Sequence, residues 1–334
     1  MATLQSVSKR AGVSTATVSK VLSNTPYVSE ETRRKVLEAV EELGYVPNLA
    51  ARALSSGKTH IIAVVFPLVY DPIFNDPLVL HMLEGVQYEC NLQGYNLLLS
   101  TPRLDTRDET YQRLIQSRYM DGIVALDNVP TASVLNDARE KGIPSVAIGY
   151  HPHDYYVRSD DHGGGMQQME HILQAGHRHI GIISAPTHVN FSIPRRLEGL
   201  RTATAQAGLS YERIPVVEGD FSIQSGADAA HQLLTEHPAI TALICLNDRM
   251  AMGAIQQARL MGRSVPQDLA VVGYDDIPQA GLFTPGLTTI NQQAPELGRI
   301  ATRMLFDLLE DRQPTPVEVP TRLVVRNSSV NSLA

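Results

Sequence analysis

A glycine and a serine, two residues apart, divide the start of the chain into two short helices joined by a tight turn. The segment Thr3–Leu22 reads TLQSVSKRAGVSTATVSKVL. Gly12 is expected to end the first helix, because glycine adopts left-handed turn geometry at little cost. Ser14 is expected to cap the second helix by accepting a hydrogen bond from an unpaired backbone N–H group. Helical spacing predicts a buried face made of Leu4, Val7, Ser8 and Ala11 in the first helix and of Val18, Val21 and Leu22 in the second.

The second helix leaves a face of small polar residues and one long cation pointing away from this core. These residues are Thr15, Ala16, Ser19 and Lys20. Such a face suits insertion of the helix into the major groove of DNA, where short side chains and a cation can reach base edges. An ordinary helical hairpin is the alternative interpretation.

A third helix and a short alanine-rich segment follow. Ser29 is expected to cap the third helix, and Gly44 to end it. Its predicted inner face consists of Val36, Leu37, Val40 and Leu43. Asn48 could then cap a short helix that stops at Gly57, which is too short to be stable alone in water and would need a partner.

Charge is distributed unevenly between the start of the chain and the remainder. Residues 1–60 carry eight basic and five acidic residues, a net charge of +3. The whole chain has a formal net charge of −7, so the remainder carries −10. A basic head on an acidic body directs the attraction of phosphate groups to the head.

Beyond residue 60, continuous apolar segments alternate with helical patterns, which predicts parallel sheets covered by helices on both faces. The predicted strands are residues 61–67, 95–100, 122–126, 145–148, 180–184, 214–218, 242–246, 269–273 and 317–325. The predicted helices are residues 78–92, 107–117, 132–140, 162–174, 194–207, 222–236, 250–261 and 296–310. So many strands exceed one ordinary open sheet, and 334 residues suffice for two or three domains, so two α/β lobes are expected.

The sequence resembles the lactose-repressor/galactose-repressor (LacI-type) family of bacterial transcriptional regulators along nearly its whole length. The runs RAGVSTATVSKVL and YVSEETRRKVLEAVEELGYVPNLAARAL are similar to the family's N-terminal domain. Later pieces match its core in order: GHRHIG at 176–181, RLEG at 196–199, ND at 247–248 with MAMG at 250–253, VP at 265–266, VGYDD at 272–276 and LTTI at 287–290.

The resemblance implies an all-α helix-turn-helix domain joined by a hinge helix to a two-lobed, periplasmic-binding-protein-like core of doubly wound parallel sheets. The expected domains are residues 1–46, a hinge at 47–58 and a core at 59–334. The first lobe would contain about 60–159 and 291–319, and the second about 160–290 and 320–330. The chain would cross between lobes near Ser159, Ile290 and Pro320.

The implied partner is a double-stranded, palindromic DNA operator bound by a homodimer. The positions predicted to contact DNA are Thr3, Ser14, Thr15, Ala16, Thr17, Ser19, Lys20, Asn24, Tyr27, Val28, Asn48, Arg52 and Leu54. Lys20 would contact a guanine edge as a single point of charge. In the family's pattern, Leu54 matches the side chain that unstacks the central base step from the minor groove. The sequence after Val325 contains no heptad helix, so a dimer rather than a coiled-coil tetramer is expected.

The resemblance also implies a small-molecule effector in the cleft between the lobes, beyond the carboxyl ends of the strands. The predicted contacts are Phe74, Asn75, Arg196, Phe221, Asn247 and Asp275, while Asp248 is interpreted as a helix cap. A carboxylate, a guanidinium and an amide suit hydroxyl groups, so a sugar is the expected effector. A nucleobase or nucleoside is the alternative, and a DNA-binding protein without an effector is another.

Several other classes of protein lack their signatures in this sequence. No GxxxxGK[ST], HExxH or GxSxG motif occurs, so an enzyme is not expected. The pairs around His151 and His177 are poor candidates for a metal site, and no metal or cofactor is predicted. Only Cys90 and Cys245 are present, and the chain has neither a secretory signal nor a long apolar stretch. These features predict a cytoplasmic, nucleoid-associated protein with no membrane partner.

Overall fold

The computed structural model describes residues 2–22, 27–45, 57–66, 73–101, 107–117, 119–126, 132–149, 155–187 and 191–330. It divides into two compact units, residues 1–60 and residues 61–334. We call the first unit the head and the second unit the core.

The head contains three helices over its described residues. They are α1 (Leu4–Ala11), α2 (Thr15–Leu22) and α3 (Glu30–Leu43). The predicted turn is confirmed: Gly12 has φ 68°, and the Ser14 hydroxyl accepts a hydrogen bond from Thr17 N at 3.1 Å. The helices enclose a small cluster of fully buried side chains, namely Val7, Val18, Val21, Val36 and Ala39.

The predicted inner face of α3 is wrong at two positions. Leu37 is 49% exposed and Leu43 is 37% exposed, while Ala39 is buried. Leu37 follows Val36 by one residue and therefore lies about 100° around the helix from the buried side. Leu43 is the last residue of α3 and does not join the buried cluster.

The core contains two parallel sheets and a two-stranded antiparallel ribbon. The first sheet consists of β1 (Ile61–Val65), β2 (Asn96–Ser100), β3 (Gly122–Leu126), β4 (Ser145–Ile148), β5 (Tyr156–Ser159) and β11 (Val317–Val319), in the order β11-β5-β4-β3-β1-β2. The second sheet consists of β6 (Ile180–Ser184), β7 (Val216–Glu218), β8 (Ala242–Cys245) and β9 (Ala270–Val272), in the order β7-β6-β8-β9. The ribbon pairs β10 (Thr289–Asn291) with β12 (Arg322–Val324).

Helices connect most of these strands. They are α4 (Pro77–Leu92), α5 (Arg107–Ser117), α6 (Ala132–Glu140), α7 (Asp161–Gln174), α8 (Ser192–Gln206), α9 (Ile223–Glu236), α10 (Asp248–Leu260), α11 (Pro278–Leu282) and α12 (Ala294–Leu309). The first sheet with α4–α6 and α12 forms what we call the first lobe, and the second sheet with α7–α11 forms the second lobe. All eight helices predicted beyond residue 60 are confirmed, and no helix end differs from its predicted position by more than two residues.

The prediction of one continuous strand over residues 317–325 is wrong. β11 pairs with β5 in the first sheet, whereas β12 pairs with β10 in the ribbon. Pro320 lies between them, and proline has no N–H group to continue a strand ladder. β5 was not predicted from the sequence.

The chain passes between the lobes three times. It leaves the first sheet after Ser159 and enters α7, then returns through β10 to α12, which packs on the first sheet. After β11 it turns back, and Val271 N donates to Ser328 O at 2.8 Å in the second lobe. The lobes are therefore joined by three segments of the same chain.

Candidate DNA-reading helix and ligand cleft

The outward face of α2 is accessible, as the sequence predicts. Thr15, Ala16 and Lys20 are exposed, and Ser19 is half-buried. Val18 and Val21 on the opposite face are 0% and 3% exposed, which fixes the rotation of the helix against the head core. α2 therefore presents short side chains and one cation away from that core.

Two other predicted DNA contacts are helix caps. The Thr3 hydroxyl accepts a hydrogen bond from Ser6 N at 3.2 Å, and the Ser14 hydroxyl lies 2.9 Å from that of Thr17. Tyr27 is 93% exposed, whereas Val28 packs partly against the head core. The remaining predicted contacts, Asn24, Asn48, Arg52 and Leu54, lie outside the described residues, as does most of the predicted hinge helix.

Three predicted effector residues follow strands of the second sheet. Phe221 comes after β7, Asn247 after β8 and Asp275 after β9. Because the strands are parallel, these positions share the carboxyl edge of that sheet. Ligands of open α/β sheets bind at this edge.

The fourth, Arg196, reaches the same edge because α7 and α8 cross very closely. A Cβ atom on Gly165 would lie 2.2 Å from the carbonyl oxygen of Arg196, and one on Gly199 would lie 2.0 Å from that of His162. Neither distance allows a side chain, so the two glycines permit the crossing. This crossing places Arg196 beside Asp161, the first residue of α7.

Arg196 is the centre of a buried polar network. Its Nε donates to Asp161 Oδ1 at 2.7 Å, and its Nη1 donates to Leu246 O at 2.7 Å. The guanidinium stacks on Tyr274, 3.6 Å from the ring centroid, and the Tyr274 hydroxyl donates to Asp161 Oδ1 at 3.2 Å. Only 5% of Arg196 and 1% of Asp161 are exposed. Burial opposes the charge, but Asp161, Tyr274 and Asp275 together raise the pKa of Arg196 above its ordinary value.

Asp275 is held between this network and the second crossing of the chain. Gln292 Nε2 donates to Asp275 Oδ1 at 2.7 Å, and Arg196 Nη1 lies 3.7 Å from the same oxygen. The backbone N–H of Asp275 donates to Ile290 O at 2.8 Å, and its φ is 119°. Among the described residues, no hydrogen bond reaches Asp275 Oδ2, so this oxygen remains available to accept one.

The pKa of Asp275 reflects its burial and the charged groups around it. Burial raises the pKa of Asp275 well above its ordinary range, although Arg196 lowers it. The carboxylates of Asp248, Asp76 and Asp161 raise it further. Asp76 caps α4, so one of the carboxylates that raise the pKa of Asp275 belongs to the first lobe.

The interpretation of Asp248 as a helix cap is wrong. Asn247 is the cap of α10, because its Oδ1 accepts from Met250 N at 2.9 Å. Its Nδ2 donates to Phe221 O at 3.0 Å, which ties two predicted effector residues together. Asp248 is fully buried and instead accepts hydrogen bonds from the Thr289 hydroxyl and from Ile277 N.

The first-lobe candidates are placed differently from those of the second lobe. Phe74 and Asn75 lie in a short 3-10 turn, Ile73–Asn75, directly before the cap residue Asp76. Both are exposed, Phe74 to 62%. Within the described residues, no hydrogen bond or ion pair joins them to Arg196, Asn247 or Asp275, whereas Asn247 is hydrogen-bonded to Phe221 and Arg196 is paired with Asp275.

Sequence reasoning missed three members of the network: Asp161, Tyr274 and Gln292. Tyr274 adjoins Asp275 in the recognised VGYDD segment, and Gln292 follows LTTI by two residues. Asp161 immediately precedes the predicted start of α7 and could have been considered as an acidic residue at a helix N-terminus.

Two family profiles match this chain, one in the head and one in the core. A family profile described as bacterial regulatory proteins, lacI family, matches residues 3–48, and one described as a periplasmic binding protein-like domain matches residues 169–329. A helix-turn-helix head and a two-lobed core define a ligand-responsive, DNA-binding transcriptional regulator.

Curated relatives align with the whole chain. The HTH-type transcriptional regulator CelR of Thermobifida fusca is 33% identical over 339 residues, covering 98% of each chain. The HTH-type transcriptional repressor PurR of Proteus mirabilis (strain HI4320) is 36% identical over 340 residues, covering 98% of this chain and 97% of that protein. These relatives are transcriptional regulators rather than enzymes. The chain belongs to the lacI family of bacterial regulatory proteins.

Two solved structures show the same fold. A complex of the transcriptional regulator CelR with cellobiose is 32% identical with a TM-score of 0.75, covering 98% of this chain and all of that one. The lac repressor dimer bound to operator and the anti-inducer ONPF is 25% identical with a TM-score of 0.86, covering 98% of this chain and 99% of that one.

The described residues contain neither a membrane-spanning helix nor a cluster of metal-binding side chains. No helix there has the length and apolar character needed to cross a membrane. No group of three or more His, Cys, Asp or Glu side chains there could hold a metal ion. Cys90 and Cys245 are buried free thiols, and burial raises the pKa of Cys90 to about 12.

Proposed function

We propose that this protein is a homodimeric repressor that binds a palindromic operator and is controlled by a sugar in the cleft between its lobes. The observation that carries the ligand assignment is the buried network around Arg196 and Asp275. It holds a carboxylate at the carboxyl edge of the second sheet with one oxygen still able to accept a hydrogen bond.

The DNA-reading role is assigned to α2. Thr15 and Ser19 have hydroxyl groups for base edges or phosphates, and Ala16 offers only apolar contact, such as to a thymine methyl group. Lys20 donates to a guanine edge from a single ammonium group, which specifies less geometry than the bidentate contact of an arginine. Exposure of Thr15, Ala16 and Lys20 supports this assignment.

Predictions for the hinge rest on the family resemblance alone. Arg52 would contact phosphate, and Leu54 would enter the minor groove at the centre of the operator. The hinge boundaries at residues 47–58 are part of the same proposal. The lac repressor structure, which is a dimer on its operator, supports the two-fold arrangement.

In the cleft, Asp275 would accept hydrogen bonds from sugar hydroxyls. Phe221 is half-buried, has φ 71° and lies at the same edge, where its ring could stack on a sugar face. Arg196 holds Asp275 in place and donates any remaining N–H group to the ligand. The cellobiose bound in the CelR structure supports a sugar as the ligand class.

A nucleobase or nucleoside is the second candidate. It is favoured by the aromatic side chain of Phe221 at the strand edge, since a planar base stacks on an aromatic ring over a larger area than a sugar does. A carboxylate at Asp275 could accept hydrogen bonds from the amino or imino groups of such a base.

Ligand screening by thermal shift tests the proposal. A ligand of the native state raises the melting temperature of the full chain in a concentration-dependent way. We expect a sugar from a panel of monosaccharides, disaccharides, nucleobases and nucleosides to do so, and Asp275→Asn to weaken its binding at least tenfold in calorimetry. Asp228→Asn, on the exposed side of α9, is the matched control. A stabilising nucleobase would favour the second candidate, and unchanged affinity in Asp275→Asn would contradict the assigned site.

The response to that ligand is then measured on DNA. A binding site is first selected from random duplexes with the full chain, and fluorescence anisotropy follows its release or capture by the ligand. A repressor with an inducing ligand should lose operator affinity on addition of the ligand.

A further inference from the structure

A second cavity lies on the second lobe, far from the ligand cleft. Its volume is about 710 Å³, which is within the range of small-molecule sites. Its wall includes Arg178–Ile180, Ile214–Pro215 and Ala239–Ile240. These segments lie at or just before the first residues of β6, β7 and β8.

The cavity and the cleft therefore occupy opposite edges of the same sheet. Phe221 and Asn247 follow β7 and β8 at the carboxyl edge, whereas the cavity lies where those strands begin. Because a strand advances about 3.3 Å per residue and β8 has four residues, the length of the strand separates the cavity from the cleft. No residue of the proposed effector site lines this cavity.

The cavity is rich in hydrogen-bond donors, and two of them are arginines. Arg178 and Arg213 line it together with His179 and His237, and Glu236 is its acidic residue. This local excess contrasts with residues 160–290 as a whole, which carry 13 acidic and eight basic residues. A cationic pocket within an acidic lobe concentrates attraction for an anion at one place.

Hydrogen bonds within the protein hold Arg178 in a fixed position, whereas the other donors of the cavity can bind a ligand. Its Nη1 donates to Leu173 O and to His177 O, both at 2.9 Å, at the end of α7. The side chains of His179, Arg213 and His237 are exposed and have no hydrogen bond or ion pair with any described residue. These donors can therefore reach a ligand without losing a bond within the described part of the protein.

Apolar side chains form another part of the wall. Ile180 and Ile240 are each 3% exposed and form part of the cavity surface with Ile214 and Pro215. Arginine pairs well with phosphate oxygens because its planar fork donates two hydrogen bonds in parallel. The combination suits a molecule with an anionic end and an apolar body.

We propose that this cavity is a second ligand site, which binds a small organic phosphate monoester. Arg178 and Arg213 contact the phosphate group, the two histidines donate further hydrogen bonds, and the isoleucines contact the organic part. This site does not depend on the proposed sugar site, since it uses the other edge of the sheet and different residues.

Calorimetry on the full chain with phenyl phosphate tests the site. We expect Arg213→Gln to weaken phenyl phosphate binding at least tenfold, and Arg259→Gln, an exposed arginine of α10 outside the cavity, to leave it unchanged. Benzyl alcohol, which has no charge, should not bind. Inorganic phosphate should bind at least tenfold more weakly than phenyl phosphate, because it has no apolar body.

Two further outcomes decide the location of the ligand. Asp275→Asn should retain phenyl phosphate binding, whether or not the wild-type cleft binds a sugar. If Asp275→Asn removed that binding, the probe would occupy the cleft and the second site would be refuted. Equal affinities of the wild type, Arg213→Gln and Arg259→Gln would also refute it, as would tighter binding of inorganic phosphate than of phenyl phosphate. Circular dichroism and melting temperature of the variants confirm that the fold is retained.

Discussion

The reading face of α2 and the network of the cleft use their functional side chains in opposite ways. On α2, Thr15, Ala16 and Lys20 are exposed, and the helix is held by valines on its other side. In the cleft, Arg196 and Asp275 are 5% and 8% exposed and contact each other and their neighbours.

On α2, the residues proposed to bind DNA contribute little to the stability of the fold. In the cleft, the residues proposed to bind the ligand also stabilise the fold. Residues on α2 can change to suit another operator with little effect on folding, because few packing contacts depend on them. In the cleft, a change that alters ligand binding also breaks a buried polar network, and unpaired buried polar groups are costly. The ligand specificity of the protein is therefore constrained by its fold more tightly than its DNA specificity is.

Arg196→Ala should have the largest effect on stability. It removes the partner of Asp161, and loss of one member of a buried ion pair costs about 3–5 kcal/mol. The exposed Arg259→Ala should change the free energy of unfolding by less than about 0.5 kcal/mol. Urea denaturation of the full chain measures both. A loss of ligand response in Arg196→Ala with unchanged stability would mean that the arginine acts on the ligand alone.

Asp248→Asn should change how stability depends on pH. Burial raises the pKa of Asp248 to about 7, and Asp276 adds to this, although bonds from Thr289 and Ile277 N oppose it. The folded state then binds more protons than the unfolded state between pH of about 4 and about 7, so stability falls as pH rises through this window. Asparagine has the same shape and no charge.

The comparison is made by denaturation at pH 5 and pH 8. The Asp248→Asn variant should gain stability relative to the wild type between these values by on the order of a few kcal/mol, at about 1.4 kcal/mol per pKa unit. Asp228→Asn, on the surface, should follow the wild-type curve. Parallel curves for Asp248→Asn and the wild type would show that Asp248 is ionised in the folded protein throughout this range.

The head was the more predictable of the two regions. Its caps and turns are local, so Gly12, Ser14 and Ser29 could be assigned from neighbours a few residues away. Leu37 was wrongly assigned to the buried face of α3, because helical spacing gives the direction of the apolar face but not how much of it the small core covers.

The cleft was predictable only in part, because its contacts are distant in sequence. Asp275 and Asn247 could be found, since each follows a predicted strand. The pairing of Asp161 with Arg196 spans 35 residues and depends on the glycine crossing of α7 and α8. The division of residues 317–325 into β11 and β12 at Pro320 also depends on distant partners, because β11 pairs with β5 and β12 pairs with β10.

Lys20→Ala should weaken operator binding without affecting the fold. Loss of a base contact costs about 1–3 kcal/mol and relaxes the preference at one base pair per half-site. Lys20 is exposed, so the melting temperature should not change. Anisotropy with the selected operator, with versions substituted at single base pairs and with random DNA measures specificity. Equal loss on specific and random DNA would assign Lys20 to the phosphate backbone.

Ser29→Ala should have the smallest effect and act on the head alone. The Ser29 hydroxyl accepts from Thr32 N at 3.3 Å and donates to the Thr32 hydroxyl at 2.9 Å at the start of α3. Loss of an N-cap side chain costs about 1 kcal/mol, which is a substantial part of the stability of a small domain. Hydrogen exchange on the full chain should therefore become faster in α1–α3 and stay unchanged in the two sheets of the core. Ser8→Ala, whose hydroxyl donates to Gln5 O within α1, is the control and should leave exchange in α3 unaltered. Faster exchange in the core of Ser29→Ala would show that the head and the core do not unfold independently, and the contrast between the two regions would then be one of exposure alone.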